Sequence, residues 1–181
     1  MTRRWAAAGS AVFFAVAPGV VAGLVPWWLT GWRFATPFPS WTPFRIAGAL
    51  LTVAGGLVLV SAFARFVTEG VGTPAPVAPP QNLVVGGLYR YVRNPMYLAV
   101  VAAIVGQALL LGQLSLFAYA AVVAAATLAF VLLYEEPYLA ERFGAEYEGY
   151  RRNVPGWWPR LRPWRPASEE APAAPRERAS G

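Results

Sequence analysis

Two short polar segments hold the residues best suited to chemistry. The first runs Gly86-Gly87-Leu88-Tyr89-Arg90-Tyr91-Val92-Arg93-Asn94-Pro95-Met96-Tyr97. Asn94 and Pro95 suit the N-cap and first position of a helix. Arg90 and Arg93 beside that helix start make an anion site, because the helix dipole and the guanidinium charges have the same sign there. The simpler reading is that Asn94 and Pro95 only start the helix and the arginines only anchor it. The second segment opens with Glu135-Glu136 and Pro137. Two adjacent carboxylates repel each other, so the pair reads as a cation-binding site; the simpler reading is a helix start, where Glu suits the dipole. Leu139, Phe143 and Tyr147 then recur at four-residue spacing, as the greasy face of a surface helix broken or kinked at Gly144.

Composition excludes much other chemistry. The 181 residues contain no His and no Cys, and every cation is Arg and every anion Glu. A Ser-His-Asp triad, a Cys nucleophile, a zinc site of His or Cys ligands, a Schiff-base lysine and a P-loop lysine are therefore all ruled out. No metal site is expected. An enzyme built from this chain needs a reaction that runs without those groups, or a cofactor that brings the reactivity.

The elements that must position these residues are set by where charge is missing. Only 13% of the chain is charged, against 57% hydrophobic, and soluble domains carry about 25% charge. No charged residue occurs in residues 5–32, 46–64 or 94–134. A crossing helix needs about 20 apolar residues, so the first two stretches each fit one helix and the third fits two, joined by a turn at Gly112-Gln113. The expected fold class is an all-α membrane protein: a bundle of about four transmembrane helices, near residues 5–28, 45–66, 95–111 and 114–134, with a C-terminal helical hairpin and a cytoplasmic amphipathic helix. The third helix is short enough to be partly re-entrant. Arg3-Arg4 before an apolar run also fits a signal peptide, but the uncharged run is too long for a normal apolar region of that kind. Pro18 is expected to bend the first helix without ending it.

Four crossings put the N-terminus, the middle loop and the C-terminal tail on one side, with 13 of the 15 arginines. Both termini are then cytoplasmic, and the Gly72-Thr73-Pro74-Ala75-Pro76 segment resembles segments of bacterial membrane proteins, which implies a bacterial inner membrane. Segments 72–94 and 135–160 are then the cytoplasmic parts of one domain, residues 1–165. Residues 166–181, rich in Pro, Ala, Glu and Arg, read as a disordered tail. Trp27, Trp28, Trp32 and Trp41 are placed in the outer interfacial belt. Small residues four apart (Gly19 and Gly23; Ala99 and Ala103; Ala102 and Gly106; Ala121, Ala125 and Ala129) are expected to pack the bundle. The arginines flank crossings and prolines, so no nucleic-acid partner is expected.

A hairpin of the last two helices brings both polar segments to its cytoplasmic base. A ligand with ammonium, carboxylate, hydroxyl and cationic groups suits arginines, glutamates and tyrosines gathered there, and S-adenosylmethionine has all four. Methyl transfer from a sulfonium mainly needs alignment and desolvation, which fits a chain lacking His, Cys, Lys and Asp.

The series Gly87 to Tyr97, then Glu135-Glu136, then Phe143-Gly144-Ala145-Glu146-Tyr147, Tyr150 and Val154-Pro155 resembles the isoprenylcysteine carboxyl methyltransferase family, and distantly the phospholipid N-methyltransferases. The resemblance covers about residues 72–160. It implies an integral membrane methyltransferase that takes S-adenosylmethionine from the cytoplasm and a lipophilic or lipid-linked substrate from the bilayer. Its Arg-His-Pro-x-Tyr motif falls on Arg93, Asn94, Pro95 and Tyr97, with Asn94 in place of His, and its paired glutamates fall on Glu135 and Glu136. Asn hydrogen-bonds but does not titrate near neutral pH. The resemblance thus implies Arg93, Asn94 and Tyr97 as catalytic residues, and Tyr89, Arg90, Arg93, Asn94, Pro95, Tyr97, Glu135 and Glu136 as cofactor-binding residues. Two alternatives stand beside it: an NADPH-dependent membrane reductase of the sterol-reductase type, and a non-catalytic membrane scaffold.

Overall fold

The structure is a computed structural model that describes residues 16–70 and 82–165. The start of the first expected span, Arg3 and Arg4, the Gly72-Thr73-Pro74-Ala75-Pro76 stretch and the C-terminal tail lie outside the described residues. The described chain is mostly helical and contains no strand. Its helices are α1 (Val16–Thr30), α2 (Thr42–Gly70), α3 (Pro95–Leu111), α4 (Ser115–Phe143) and α5 (Ala145–Asn153), with a short 3-10 turn at Gly87–Arg90. Two of them, over Thr42–Arg65 and Ser115–Phe143, are long and apolar enough to cross a membrane; α1 and α3 are shorter apolar helices.

The most extensive helix contact joins α2 to α3. It is made by small residues on both sides. A Cβ on Gly55 would lie 2.9 Å from the Ala99 carbonyl oxygen, and one on Gly106 would lie 2.6 Å from the Thr52 nitrogen. Backbones this close gain dispersion contacts that larger side chains would prevent. Only part of the expected small-residue packing forms. Ala99, Ala103 and Gly106 are buried against α2, but Ala121, Ala125 and Ala129 are exposed on α4. Cβ atoms on Gly19 and Gly23 would meet nothing within 4 Å.

α3 turns into α4 at Gly112, whose φ of 68° closes the helix in the left-handed conformation. The 31–41 connection is tied to this turn. The Ala35 amide donates to the Leu111 carbonyl at 2.7 Å, and Gln113 Nε2 donates to the Arg33 carbonyl at 2.8 Å. Trp41 does not face an interfacial belt. It is buried, its indole N–H donates to the Leu109 carbonyl at 2.8 Å, and it stacks on Phe44.

Two helices contain a five-residue π turn one residue ahead of an X-Pro step: Val20–Leu24 before Val25-Pro26 in α1, and Val131–Glu135 before Glu136-Pro137 in α4. Proline brings no N–H to the helix ladder, and the wide turn absorbs the loss by shifting the register one residue. In α1 the affected carbonyls gain side-chain donors from neighbouring helices. Tyr119 Oη donates to Val21 O at 2.9 Å, and Gln107 Nε2 donates to Ala22 O at 2.7 Å. In α4 the same device corrects the expected end of the helix near Tyr134. The chain stays helical through the glutamate pair and breaks at Gly144 instead, at φ 50° and ψ −124°. α2 likewise extends beyond its expected 45–66 at both ends.

Candidate functional site

The site forms where the start of α3 meets the far end of α4 and the beginning of α5. Three separate pieces of chain supply it: the 3-10 turn Gly87–Arg90 with the Tyr91–Asn94 bend, the glutamate pair at the end of the α4 π turn, and one face of α5 followed by residues 154–165.

Arg93 is at its centre. Its Nη1 lies 2.9 Å from Glu136 Oε1 and donates to Tyr147 Oη, also at 2.9 Å. The Glu136 side chain is 9% exposed, and its Oε2 lies 3.3 Å from Nη2 of Arg151. The cation and the anion picked from two distant segments therefore meet directly. Glu135, one residue earlier on the helix, points elsewhere. Its Oε2 accepts a hydrogen bond from Tyr97 Oη at 2.9 Å.

Asn94 occupies the N-cap position of α3, with Pro95 in the first turn, but its side chain makes no capping bond. Asn94 is buried, and its Nδ2 has no protein partner; the same holds for Nε of Arg93. Buried donors are nearly always paired, and each costs about 1–3 kcal/mol when it is not. Gly156 sits against both side chains. A Cβ there would lie 3.2 Å from Arg93 Nη2 and 3.5 Å from Asn94 Nδ2.

The remaining expected residues have supporting places. Tyr89 is buried with Ala62 and Val84, and its carbonyl accepts a bond from Tyr150 Oη at 2.7 Å. The Arg90 carbonyl accepts from the Trp164 amide, and Pro95 is buried at the start of α3.

Reading the sequence missed Tyr147, Tyr150, Arg151 and Gly156 as parts of this site. The four-residue spacing from Leu139 places Tyr147 on a greasy face, yet its hydroxyl meets Arg93. The available signal was spacing: Tyr147, Tyr150, Arg151 and Val154 share one helical face at steps of three and four, and that face turns to the site. Burial pushes the Tyr147 phenol up to about 12, with the Arg93 guanidinium pulling the other way. Burial also raises Tyr150. Both stay neutral hydrogen-bonding groups at working pH.

Among the described residues no group of His, Cys, Asp or Glu could hold a metal ion. What the site offers is a paired carboxylate cluster, two unpartnered buried donors and several phenols, at one end of a set of apolar helices. These features define an apolar, membrane-type helical protein with a charged site at a helix end. The phospholipid methyltransferase family model matches residues 44–146, more than half of the chain, and the chain belongs to that family. Membership points to methyl transfer at a membrane. No curated protein and no solved structure matches the chain. The family match begins inside α2, takes in α3 and α4 and ends at Glu146, so Tyr147, Arg151 and Gly156 lie beyond it.

Proposed function

We propose that this chain is an integral membrane methyltransferase that uses S-adenosylmethionine to methylate a lipophilic or lipid-linked acceptor at the cytoplasmic face. The reading includes four crossings with both termini cytoplasmic, in a bacterial inner membrane. The observation that carries it is the pair of buried, unpartnered donors, Arg93 Nε and Asn94 Nδ2, beside the Glu136 carboxylate.

The residues present fit this cofactor. The two free donors suit a carboxylate, and charge-assisted bonds of that kind are about twice as strong as neutral ones. Glu135 and Glu136 supply acceptors for ammonium or ribose hydroxyls, and Tyr97 lies beside them. When bound, S-adenosylmethionine supplies a methyl group on a sulfonium, which needs no general base in the chain to leave. The protein's own work is alignment. The Arg93–Glu136–Arg151 cluster fixes both carboxylate oxygens of Glu136, Tyr97 fixes Glu135, and Gly156 leaves room beside Arg93 and Asn94 that a larger residue would fill. Holding reactants in this way supplies about 7–11 kcal/mol of a displacement barrier. The isoprenylcysteine carboxyl methyltransferase resemblance favours an acceptor carrying a long apolar chain.

Two measurements test this. Purified protein in nanodiscs should bind S-adenosylmethionine, and Asn94→Ala should weaken that binding. Native membrane extract supplied with methyl-labelled cofactor should yield a labelled lipid-extractable product. Binding of NADPH with no binding of S-adenosylmethionine would overturn the proposal in favour of a reductase.

A further inference from the structure

Residues 154–165 follow α5 and are not a free tail. They return across the start of α3 and are fastened to it by backbone. The Arg93 amide donates to the Pro155 carbonyl at 2.9 Å and the Asn94 amide to the Gly156 carbonyl at 3.3 Å. In the other direction, the Arg160 amide donates to Tyr91 O and the Trp164 amide to Arg90 O, both at 3.0 Å. Val154 is fully buried with Tyr147 and Tyr150, and Trp164 packs on this cluster at 5.5 Å from the Tyr150 ring. The inner edge of this strap is thus seated on the protein.

Its outer edge is different. Trp158 is 81% exposed and Leu161 is fully exposed. Around them Arg151, Arg152, Arg160, Arg162 and Arg165 are the only charged residues from 151 to 165, with no acid among them. The strap is fastened to residues 90–94, immediately before the apolar helix α3 begins at Pro95. It therefore sits at the height where that helix enters the bilayer. Tryptophan favours this depth, and arginines beside it are drawn to anionic headgroups. Single exposed apolar residues are ordinary on protein surfaces. A tryptophan and a leucine at the bilayer boundary, within an all-cationic segment, have a partner of matching chemistry.

We propose that residues 154–165 form a lipid-docking strap, in which Trp158 and Leu161 enter an anionic lipid surface and Arg152, Arg162 and Arg165 lie against its headgroups. This rests on the membrane placement given above, but not on the cofactor. Because the strap is bonded to the Arg93–Asn94 bend and carries Gly156, lipid docking also holds that wall of the site in place.

The chain has no cysteine, so Leu161→Cys gives a single labelling position. The labelled full chain is placed in nanodiscs of phosphatidylcholine alone, or of equal parts phosphatidylcholine and phosphatidylglycerol. Quenching of the dye by brominated acyl chains then reads insertion. Strong quenching is expected with phosphatidylglycerol and much weaker quenching without it. Adding Arg152→Gln and Arg162→Gln should lower the ratio of inserted to free strap about thirtyfold, as expected for losing two arginines near an anionic surface. Absence of quenching in both nanodiscs overturns the proposal and leaves the strap to a protein partner or a second copy. Equal quenching in both overturns the anionic-lipid requirement. No cofactor is present in this assay, so failure to bind S-adenosylmethionine would sink the proposed function and leave the strap result standing.

Discussion

Replacing Asn94 by Ala separates a helix-capping role from a ligand-binding one. An Asn that caps a helix with its side chain costs about 0.5–2 kcal/mol of stability when changed to Ala. Here the side chain makes no capping bond, and its Nδ2 is buried with no protein partner. Removing an unsatisfied buried donor relieves a penalty of about 1–3 kcal/mol, while the small void left behind opposes that gain. The net change in the ligand-free protein should therefore fall within about 0.5 kcal/mol of zero, or on the stabilising side. With ligand the result reverses. A saturating ligand at about a hundred times its dissociation constant stabilises the folded state by about 2.7 kcal/mol. Losing a charge-assisted bond of about 1.5–3 kcal/mol weakens binding by at least about tenfold. The assay is thermal unfolding of wild type and Asn94→Ala in nanodiscs, with and without S-adenosylmethionine. A variant that loses a kilocalorie or more without ligand, yet keeps the wild-type ligand-induced shift, would show that Asn94 is a structural cap and refute the reasoning.

Three further outcomes follow from the geometry. Glu136→Gln should destabilise the protein by about 3–5 kcal/mol, because it leaves the Arg93 guanidinium buried beside a neutral group; Arg151→Gln, whose side chain is 47% exposed, should cost at most about 1 kcal/mol, and denaturant unfolding of the two variants compares them. Gly106→Ala forces a methyl group onto the Thr52 backbone and should cost about 1–3 kcal/mol, whereas Gly23→Ala meets open space and should gain a few tenths to about 1 kcal/mol of helix stability, read as opposite shifts in unfolding temperature. The Tyr147 phenol, raised by burial to about 12, binds its proton more tightly folded than unfolded. Its contribution to stability is therefore intact below the ordinary tyrosine value and is lost as pH rises through about 12. The ultraviolet titration of Tyr147→Phe should lack one late-ionising phenol, and an unchanged late phase would contradict this.

Much of the frame could be read from residue types alone, because lipid and helix termini impose simple rules. Gly112 ends α3 in the left-handed conformation that glycine tolerates, and Pro95 opens α3 where its missing N–H costs nothing. Arg93 and Glu136 meet because a turn at Gly112 folds α3 back along α4. Other features depended on information that no local pattern carries. The first charges after an uncharged run mark an exit from an apolar environment, but a helix does not have to stop there, and α4 does not. Whether a small-residue stripe faces a partner or the outside depends on helix rotation, so the α3 stripe is packed and the α4 stripe is exposed. Tyr147 and Arg151 belong to the site through contacts across the fold, and their own neighbours in sequence look like an ordinary amphipathic helix. Trp41 illustrates the same point: an indole beside other indoles suggests a boundary belt, but a single carbonyl on another helix draws it inside.

The wide turn at Val131–Glu135 makes the aim of the two glutamates a matter of counting. An α-helix advances about 100° per residue, so one residue removed from that turn would swing every side chain after it by roughly that angle about the axis. Glu136 would leave Arg93, with no acidic or basic group altered anywhere in the chain. Substitutions at residues 131–134 of that turn should be tolerated wherever size allows, while a single deletion or insertion there should disable the site. In this helix the number of residues before the carboxylates constrains them more than the identity of those residues does.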